Sequence, residues 1–354
     1  MSEKTKYFRI KLLEWNRLEN RRLMPWKGER DPYKIWLSEI ILQQTRVEQG
    51  WDYYTRFIEA FPDILHLSRA PEKKLFKLWE GLGYYNRCKN LLITAKYIAG
   101  ELNGKFPDNY ADILSLKGVG PYTAAAIASF AYDQPYAVVD GNVFRVLARY
   151  FGISEAIDST VGRKQFTRLA DELLDPADPG RYNQALMDFG AGVCKPKQPA
   201  CTTCPLNKRC TGYRNNSVTE LPVKAKTLTR KTRWFYYIIA EHEGKIYIRK
   251  RTDSDIWENL YEFILIEKKK PLSIKKLLNG PEISSLFGKA ILSIESVSAM
   301  HSQQLTHQII RGRFIRLKSA GGLLEKGFKM VNAKQLARLP FPKFINSYLG
   351  QPSE

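Results

Sequence analysis

No run of apolar residues reaches the ~18–20 that a membrane-spanning helix needs, so no membrane role is expected. The opening MSEKTKYFRI lacks the apolar core of a secretory signal. A cytoplasmic, nucleoid-associated setting is expected, or a nuclear one in a eukaryote. Cysteines are few: five, an odd count, which in a reducing compartment does not make a disulfide framework. No repeat of the solenoid kind and no low-complexity tract is present. Negative charge is also short. Thirty-six Asp and Glu face 56 Lys and Arg, a net charge of +20 with a pI near 9.6. The excess is spread along the chain with only short clusters such as Lys268–Lys270. Phosphates and their released counterions reward spread positive charge, so nucleic acid is the leading partner class.

What is there suffices for two domains. The chain has 354 residues, 44% of them apolar. Up to about residue 220 it reads as helical. Apolar residues recur at helical spacing in Tyr33–Gln49, Leu75–Leu82, Asn90–Ile98, Tyr122–Tyr132 and Val143–Phe151, with Pro and Gly between them. Residues 213–232 are polar and basic and read as a linker. Beyond them RWFYYIIAEHEGKIYIRKR reads as two strands around His242-Glu243-Gly244, and residues 297–319 as a further strand or pair. The expected organisation is a mainly α region at 1–225, containing a cysteine loop at 194–210, and an α+β domain at 230–354.

Three stretches carry chemistry. In LKGVGPYTA, Gly118 and Gly120 supply a sharp reversal between two helices, and Pro121 suits the first turn of the second. The free N–H groups there form an anion seat, and a DNA phosphate is the natural occupant. An ordinary glycine-capped corner is the plain alternative. In VVDGNVFRVLARYF, Asp140 precedes an amphipathic helix, either as an N-cap or as a carboxylate at the mouth of a site; both can hold at once. In WLSEIILQQTRV, Glu39 lies in a helix apolar nearly all round. Burial there would raise its pKa and suit a general acid, whereas a salt-bridged structural glutamate is the alternative.

Cys194, Cys201, Cys204 and Cys210 are separated by six, two and five residues. Zinc folds generally use two close pairs, and only Cys201 and Cys204 form one. Four thiolates in one short loop better suit a cube-shaped iron–sulfur cluster, with structural zinc the alternative. Lys195 and Lys197 alternate with the ligands and offer phosphate contacts. Cys88, far from the loop, reads as a packed thiol.

Taken in order, Gly118–Ala124, Asp140-Gly141-Asn142-Val143 and the four cysteines resemble the endonuclease III, or helix–hairpin–helix, superfamily of DNA glycosylases. Pro25-Trp26, Glu39, Gln43-Gln44-Thr45 and Gly81–Arg87 narrow the resemblance to MutY-type adenine DNA glycosylases. The match spans residues 7–212, and the C-terminal domain more loosely. It implies a helix–hairpin–helix glycosylase fold with a [4Fe-4S] loop, and a Nudix-like α+β domain that reads the lesion. The implied partner is duplex DNA with adenine opposite 8-oxoguanine or guanine, bound by a monomer. Glu39 would protonate the flipped adenine, Asp140 would stay ionised and steady the sugar, and Asn142 would orient Asp140 or a water. Lyase relatives carry a lysine where Tyr122 stands, so a monofunctional enzyme is implied. Arg22, Trp26 and Gln184 match positions around the adenine, and Gln44 and Tyr84 match residues that wedge into the duplex. Leu305-Thr306-His307 stands where relatives often have Phe-Ser-His, which places Thr306 and His307 at the lesion. No glycine-led box dense in glutamates is present, so the domain is expected to recognise without hydrolysing. The rival readings are a pyrimidine glycosylase/lyase of this fold and a non-catalytic iron–sulfur DNA-binding protein.

Overall fold

The computed structural model describes residues 2–225 and 229–350. The chain forms two compact units, residues 1–70 with 89–227, and residues 71–88 with 228–354. Residues 226–228 of the expected linker and 351–354 of the expected second domain lie outside the described residues.

Helices come first along the chain: α1 (Glu3–Leu18), α2 (Pro32–Leu42), α3 (Val47–Ala60), α4 (Ile64–Ser68), α5 (Glu72–Trp79) and α6 (Asn86–Glu101). They continue as α7 (Tyr110–Ser115), α8 (Pro121–Tyr132), α9 (Gly141–Phe151), α10 (Thr160–Leu173), α11 (Pro179–Gly192) and α12 (Thr211–Arg214). In the first unit α2 packs on α8, and α11 packs on α8 and α9. The alanines of α8, Ala124 to Ala128, are all buried and let its neighbours approach closely. The core around them joins Phe8, Leu12, Val146, Tyr150, Phe166, Tyr182 and Phe189.

The helix expected over Tyr33–Gln49 is two helices. α2 ends at Leu42, Gln44 takes a left-handed φ of 57°, and α3 starts at Val47. Apolar periodicity spans the break because both helices bury a face, so spacing alone does not reveal it. Part of the stretch read as a linker is tied down. Leu221 is buried, its carbonyl accepts from Arg149 Nε at 3.0 Å, and the Val223 carbonyl accepts from Ile157 N at 3.0 Å.

The second unit is built on an eight-stranded sheet, β1 (Lys231–His242), β2 (Lys245–Lys250), β3 (Tyr261–Glu262), β4 (Ile264–Lys268), β5 (Leu292–Val297), β6 (His301–Gln304), β7 (Gln308–Ser319) and β8 (Lys329–Val331). The central path runs β3-β2-β1-β7-β5, with β1 parallel to β7 and Phe235 paired with Gly312. β1 is buried on both faces from Phe235 to Ala240, which its unbroken apolar run anticipates. Glu243 and Gly244, both at positive φ, make the two-residue turn to β2. Helices α13 (Ile274–Leu278) and α14 (Pro281–Phe287) cover Tyr236, Ile238 and Ile315. Helix α15 (Ala333–Ala337) follows β8, and α16 (Lys343–Leu349) sets Phe344 against Tyr237 and Phe314. Residues 71–88 join this unit: Lys77 Nζ donates to the Leu339 carbonyl at 3.1 Å, and Glu80 accepts from Phe341 N at 2.7 Å.

Candidate active site

Every residue of α2 from 35 to 41 is buried, Glu39 among them at 6% exposure. Burial lifts the Glu39 carboxyl to about 7; the Tyr122 hydroxyl, hydrogen-bonding to it, opposes the rise and the nearby Asp140 charge adds to it. Tyr122 is the second residue of α8, and its hydroxyl lies 3.8 Å from Met187 Sδ. Burial, then the two carboxylates, push that phenol well above its ordinary range, so it stays a neutral donor.

Asp140 caps α9. One carboxylate oxygen accepts from Asn142 N at 2.8 Å and Val143 N at 2.7 Å, the other from Asn142 Nδ2 at 2.6 Å. The sequence suggests a polar helix start. The structure also encloses this carboxyl: burial raises its pKa, and the N–H donors and Arg145 pull it back. Three N–H donors favour the carboxylate over the acid. Glu39 has one hydroxyl for the same purpose, so Glu39 is the group that holds the proton.

Glu39 opens onto a cavity of about 320 Å³, the low end of small-molecule pockets, shared with Trp26, Lys27, Ser38, Phe130 and Gln184. Behind its wall lies Asp188 on α11, whose side chain has no exposed surface. It accepts from Arg22 Nη1 at 3.0 Å, Lys27 Nζ at 2.9 Å, Asn20 Nδ2 at 2.9 Å and Gln184 Nε2 at 3.0 Å.

Two further places were expected from the sequence to meet DNA. Between α7 and α8, Gly118 holds φ at 81° and Gly120 caps α8 without a side chain. The first N–H groups of α8 therefore have no side-chain cap, at the positive end of the helix. In the second unit, Thr306 and His307 sit at the tip of the β6–β7 hairpin, closed by Leu305 N to Gln308 O at 2.8 Å. The Tyr84 and Thr306 hydroxyls hydrogen-bond each other, and both residues line a cavity of about 520 Å³ with His307 and Gln303. Gln44 and Tyr84 are exposed and sit at φ 57° and 47°. Left-handed backbone costs a non-glycine residue roughly 1–2 kcal/mol, and such strain concentrates at functional sites.

The four loop cysteines line one small cavity with Arg149 and Tyr213. Arg149 places Nη1 3.4 Å from Cys194 Sγ and donates to the Lys195 carbonyl at 2.7 Å. Burial, and then the neighbouring thiolates, push up the thiols of Cys201 and Cys210, and Cys204 to about 12. Among the described residues no three His, Cys, Asp or Glu side chains are placed to hold a single metal ion.

Comparison with known proteins decides the family. Residues 37–172 match the HhH-GPD superfamily of base excision DNA repair proteins, and residues 235–351 match the NUDIX domain. An adenine DNA glycosylase of Buchnera aphidicola (subsp. Acyrthosiphon pisum) is 37% identical over 305 residues, covering 83% of this chain and 87% of that one. The chain belongs to the adenine DNA glycosylase family. A mouse adenine DNA glycosylase is 43% identical over 215 residues, covering 58% of this chain and 42% of that protein. The structure of a thermostable thymine-DNA glycosylase superposes with a TM-score of 0.56 at 32% identity, covering 60% of this chain and 98% of that one.

In this member of the adenine DNA glycosylase family the fold gathers Glu39, Tyr122, Asp140 and Asn142, and sets Trp26 and Gln184 on the cavity wall. Arg22 reaches the site through Asp188. Lys195 and Lys197 are exposed on the cysteine loop. Sequence reasoning missed Asp188, Lys27 and Arg145. Arg145 donates to Asn142 Oδ1 at 2.8 Å, to the Gly190 carbonyl at 2.7 Å and to the Cys194 carbonyl at 2.7 Å. It thereby joins the Asp140 cap to the start of the cysteine loop. A signal for it existed: Arg145 follows Asn142 by three residues on one face of an amphipathic helix. Cys88 is fully buried, with its thiol pushed well up.

Proposed function

We propose that this chain removes adenine from duplex DNA by hydrolysis of the N-glycosidic bond, acting as a monomer on adenine opposite 8-oxoguanine or guanine. The observation that carries the reading is the buried Glu39 carboxyl, lifted to about 7, on a base-sized cavity beside a capped carboxylate. The adenine leaves the stack and enters the cavity. Glu39 gives its proton to N7, the C1′–N9 bond breaks, and the bonding pair departs with a neutral adenine. Asp140 steadies the cationic sugar. A water then adds to C1′ and returns a proton to Glu39, leaving an abasic site. Asn142 holds Asp140 in place. Tyr122, a neutral phenol, is no amine and forms no Schiff base, so the strand stays uncut. The strained Gln44 and Tyr84 serve as the duplex wedge, and Thr306 and His307 as the lesion contact. Gly118, Gly120, Lys195 and Lys197 take phosphates.

For the cysteine loop we infer a [4Fe-4S] cluster held by Cys194, Cys201, Cys204 and Cys210. The donor set fits: four sulfurs on one cavity, beside a buried arginine that offsets thiolate charge. Tetrahedral zinc is the alternative occupant of the same four sulfurs. The cluster's role here is structural cross-linking of the loop that Arg145 and Arg149 grip.

The test is base release under single turnover from duplexes with adenine opposite 8-oxoguanine, guanine or thymine, and with thymine opposite guanine. Adenine release from the first two, without strand cleavage, is expected. Release of thymine alone, or of no base, overturns the reading.

A further inference from the structure

Residues 217–225, the last described stretch before the second unit begins, form neither helix nor strand. Such a stretch has no hydrogen-bond ladder of its own, so its order comes from what holds it. The Val223 carbonyl accepts from Ile157 N at 3.0 Å, and Ala225 N donates to the Asp158 carboxylate at 2.8 Å. Between Val218 and these two, Leu221 is buried in the core of the first unit, and its carbonyl accepts from Arg149 Nε at 3.0 Å. The same guanidinium turns both its amino groups to the cysteine loop. Nη1 meets Cys194 Sγ at 3.4 Å and the Lys195 carbonyl at 2.7 Å, and Nη2 meets the Pro196 carbonyl at 3.3 Å. Val218 lines the small cavity of the four cysteines. Segment and cysteine loop therefore share one arginine and one cavity.

Arg149 is only 3% exposed. Its hydrogen-bonding partners among the described residues are one sulfur and three carbonyls, with no carboxylate. A buried cation is costly unless opposite charge lies close. A metal centre on the four cysteines supplies that charge, because sulfurs bound to metal are thiolates. We propose that the occupied cysteine cavity is what fastens residues 217–225 to the first unit, with Arg149 as the positioning residue that couples the two. This rests on the metal-centre reading above. With the centre in place, Arg149 is held against the loop and presents Nε to Leu221. Once the centre is lost, the guanidinium loses its counter-charge and the Leu221 carbonyl loses a fixed donor. Linkage makes the effect reciprocal: a loosened segment weakens the hold on the metal.

The experiment is amide hydrogen exchange on the full chain, as purified and after a chelator has removed the metal. Removal should speed exchange of residues 217–225, and of Ile157 N–H, by at least about tenfold, the scale of one hydrogen bond to a charged group. Exchange in α8 should not change. Arg149→Lys keeps the charge but has one amine and cannot span loop and segment. In that variant the segment should exchange fast from the start, and metal removal should add little. The reverse arm follows the rate at which a chelator takes the metal. Leu221→Ala should release it at least about tenfold faster than wild type. Leu174→Ala, an equal truncation in the same core but outside the segment, should release it at the wild-type rate. If exchange in 217–225 ignores the metal, or Leu221→Ala and Leu174→Ala release it alike, the inference is overturned. A full response to metal removal in Arg149→Lys would take Arg149 out of it. If freshly purified wild type holds neither iron nor zinc, the metal reading has failed and this inference falls with it, a result that metal content alone tells apart from the others.

Discussion

Replacing Glu39 by glutamine removes a proton and leaves the shape. General acid–base contributions run to about 10²–10⁴-fold, so Glu39→Gln should lose at least a hundredfold in base release while its affinity for duplex changes little. The same change should stabilise the fold. The folded carboxyl, at about 7, lies above its ordinary 4.5, so the native state holds the proton more tightly than the unfolded chain. Stability from this group is full below 4.5 and is lost as pH rises to about 7. The loss amounts to roughly 3 kcal/mol. Calorimetry at pH 8 should find Glu39→Gln melting above wild type, with the gap closing toward pH 4.5; equal melting at both would contradict the buried acid. In wild type the cleavage rate should fall about tenfold per pH unit above about 7, as the acid form disappears. Tyr122 favours ionised Glu39. Tyr122→Phe should therefore shift that alkaline limb to higher pH, alongside any loss of rate. A limb that stays put or moves down would remove Tyr122 from the account.

At the scale of elements, the α7–α8 corner separates stability from binding. Gly118 sits at φ 81°, and a Cβ there would lie 2.8 Å from Asn90 Cβ and 2.9 Å from its Nδ2. Gly118→Ala should cost about 1–3 kcal/mol in denaturant unfolding. Gly120 has an ordinary φ, and a Cβ added there would have no described atom beyond its chain neighbours within 4 Å. Gly120→Ala should keep nearly all its stability, losing no more than about 1 kcal/mol at a helix cap, yet weaken duplex binding by crowding the phosphate. Equal binding by wild type and Gly120→Ala would place the phosphate elsewhere. The corner was legible because glycine spacing is a local property. The end of α2 at Leu42 was not, since the residues on each side of it bury apolar faces.

Over the whole molecule, the +20 charge should show in salt dependence. If six or more phosphates are neutralised, affinity should fall by about a thousandfold or more between 50 and 200 mM salt. A flat response would leave the basic charge without a DNA role. The cluster is read by analysis of freshly purified protein: iron and acid-labile sulfide in equal amounts are expected, and zinc in their place would reverse the assignment. Cys194→Ala should lower both the iron content and the melting temperature, since the loop between α11 and α12 carries partners of Arg145 and Arg149.

Some properties were fixed by residue order alone. An apolar stripe on every side of Glu39 requires burial wherever α2 goes, and two glycines with a proline require a turn and a helix start. Four cysteines in seventeen residues stay near each other in any fold. These are short-range matters, set by backbone sterics and by periodicity. Only tertiary structure decided what Glu39 faces and what encloses Asp188. Asp188 meets Asn20, Arg22 and Lys27 across more than 160 residues of chain. Nothing local marks such a partner, because the hydrogen bonds exist only once packing has brought α11 against the loop after α1.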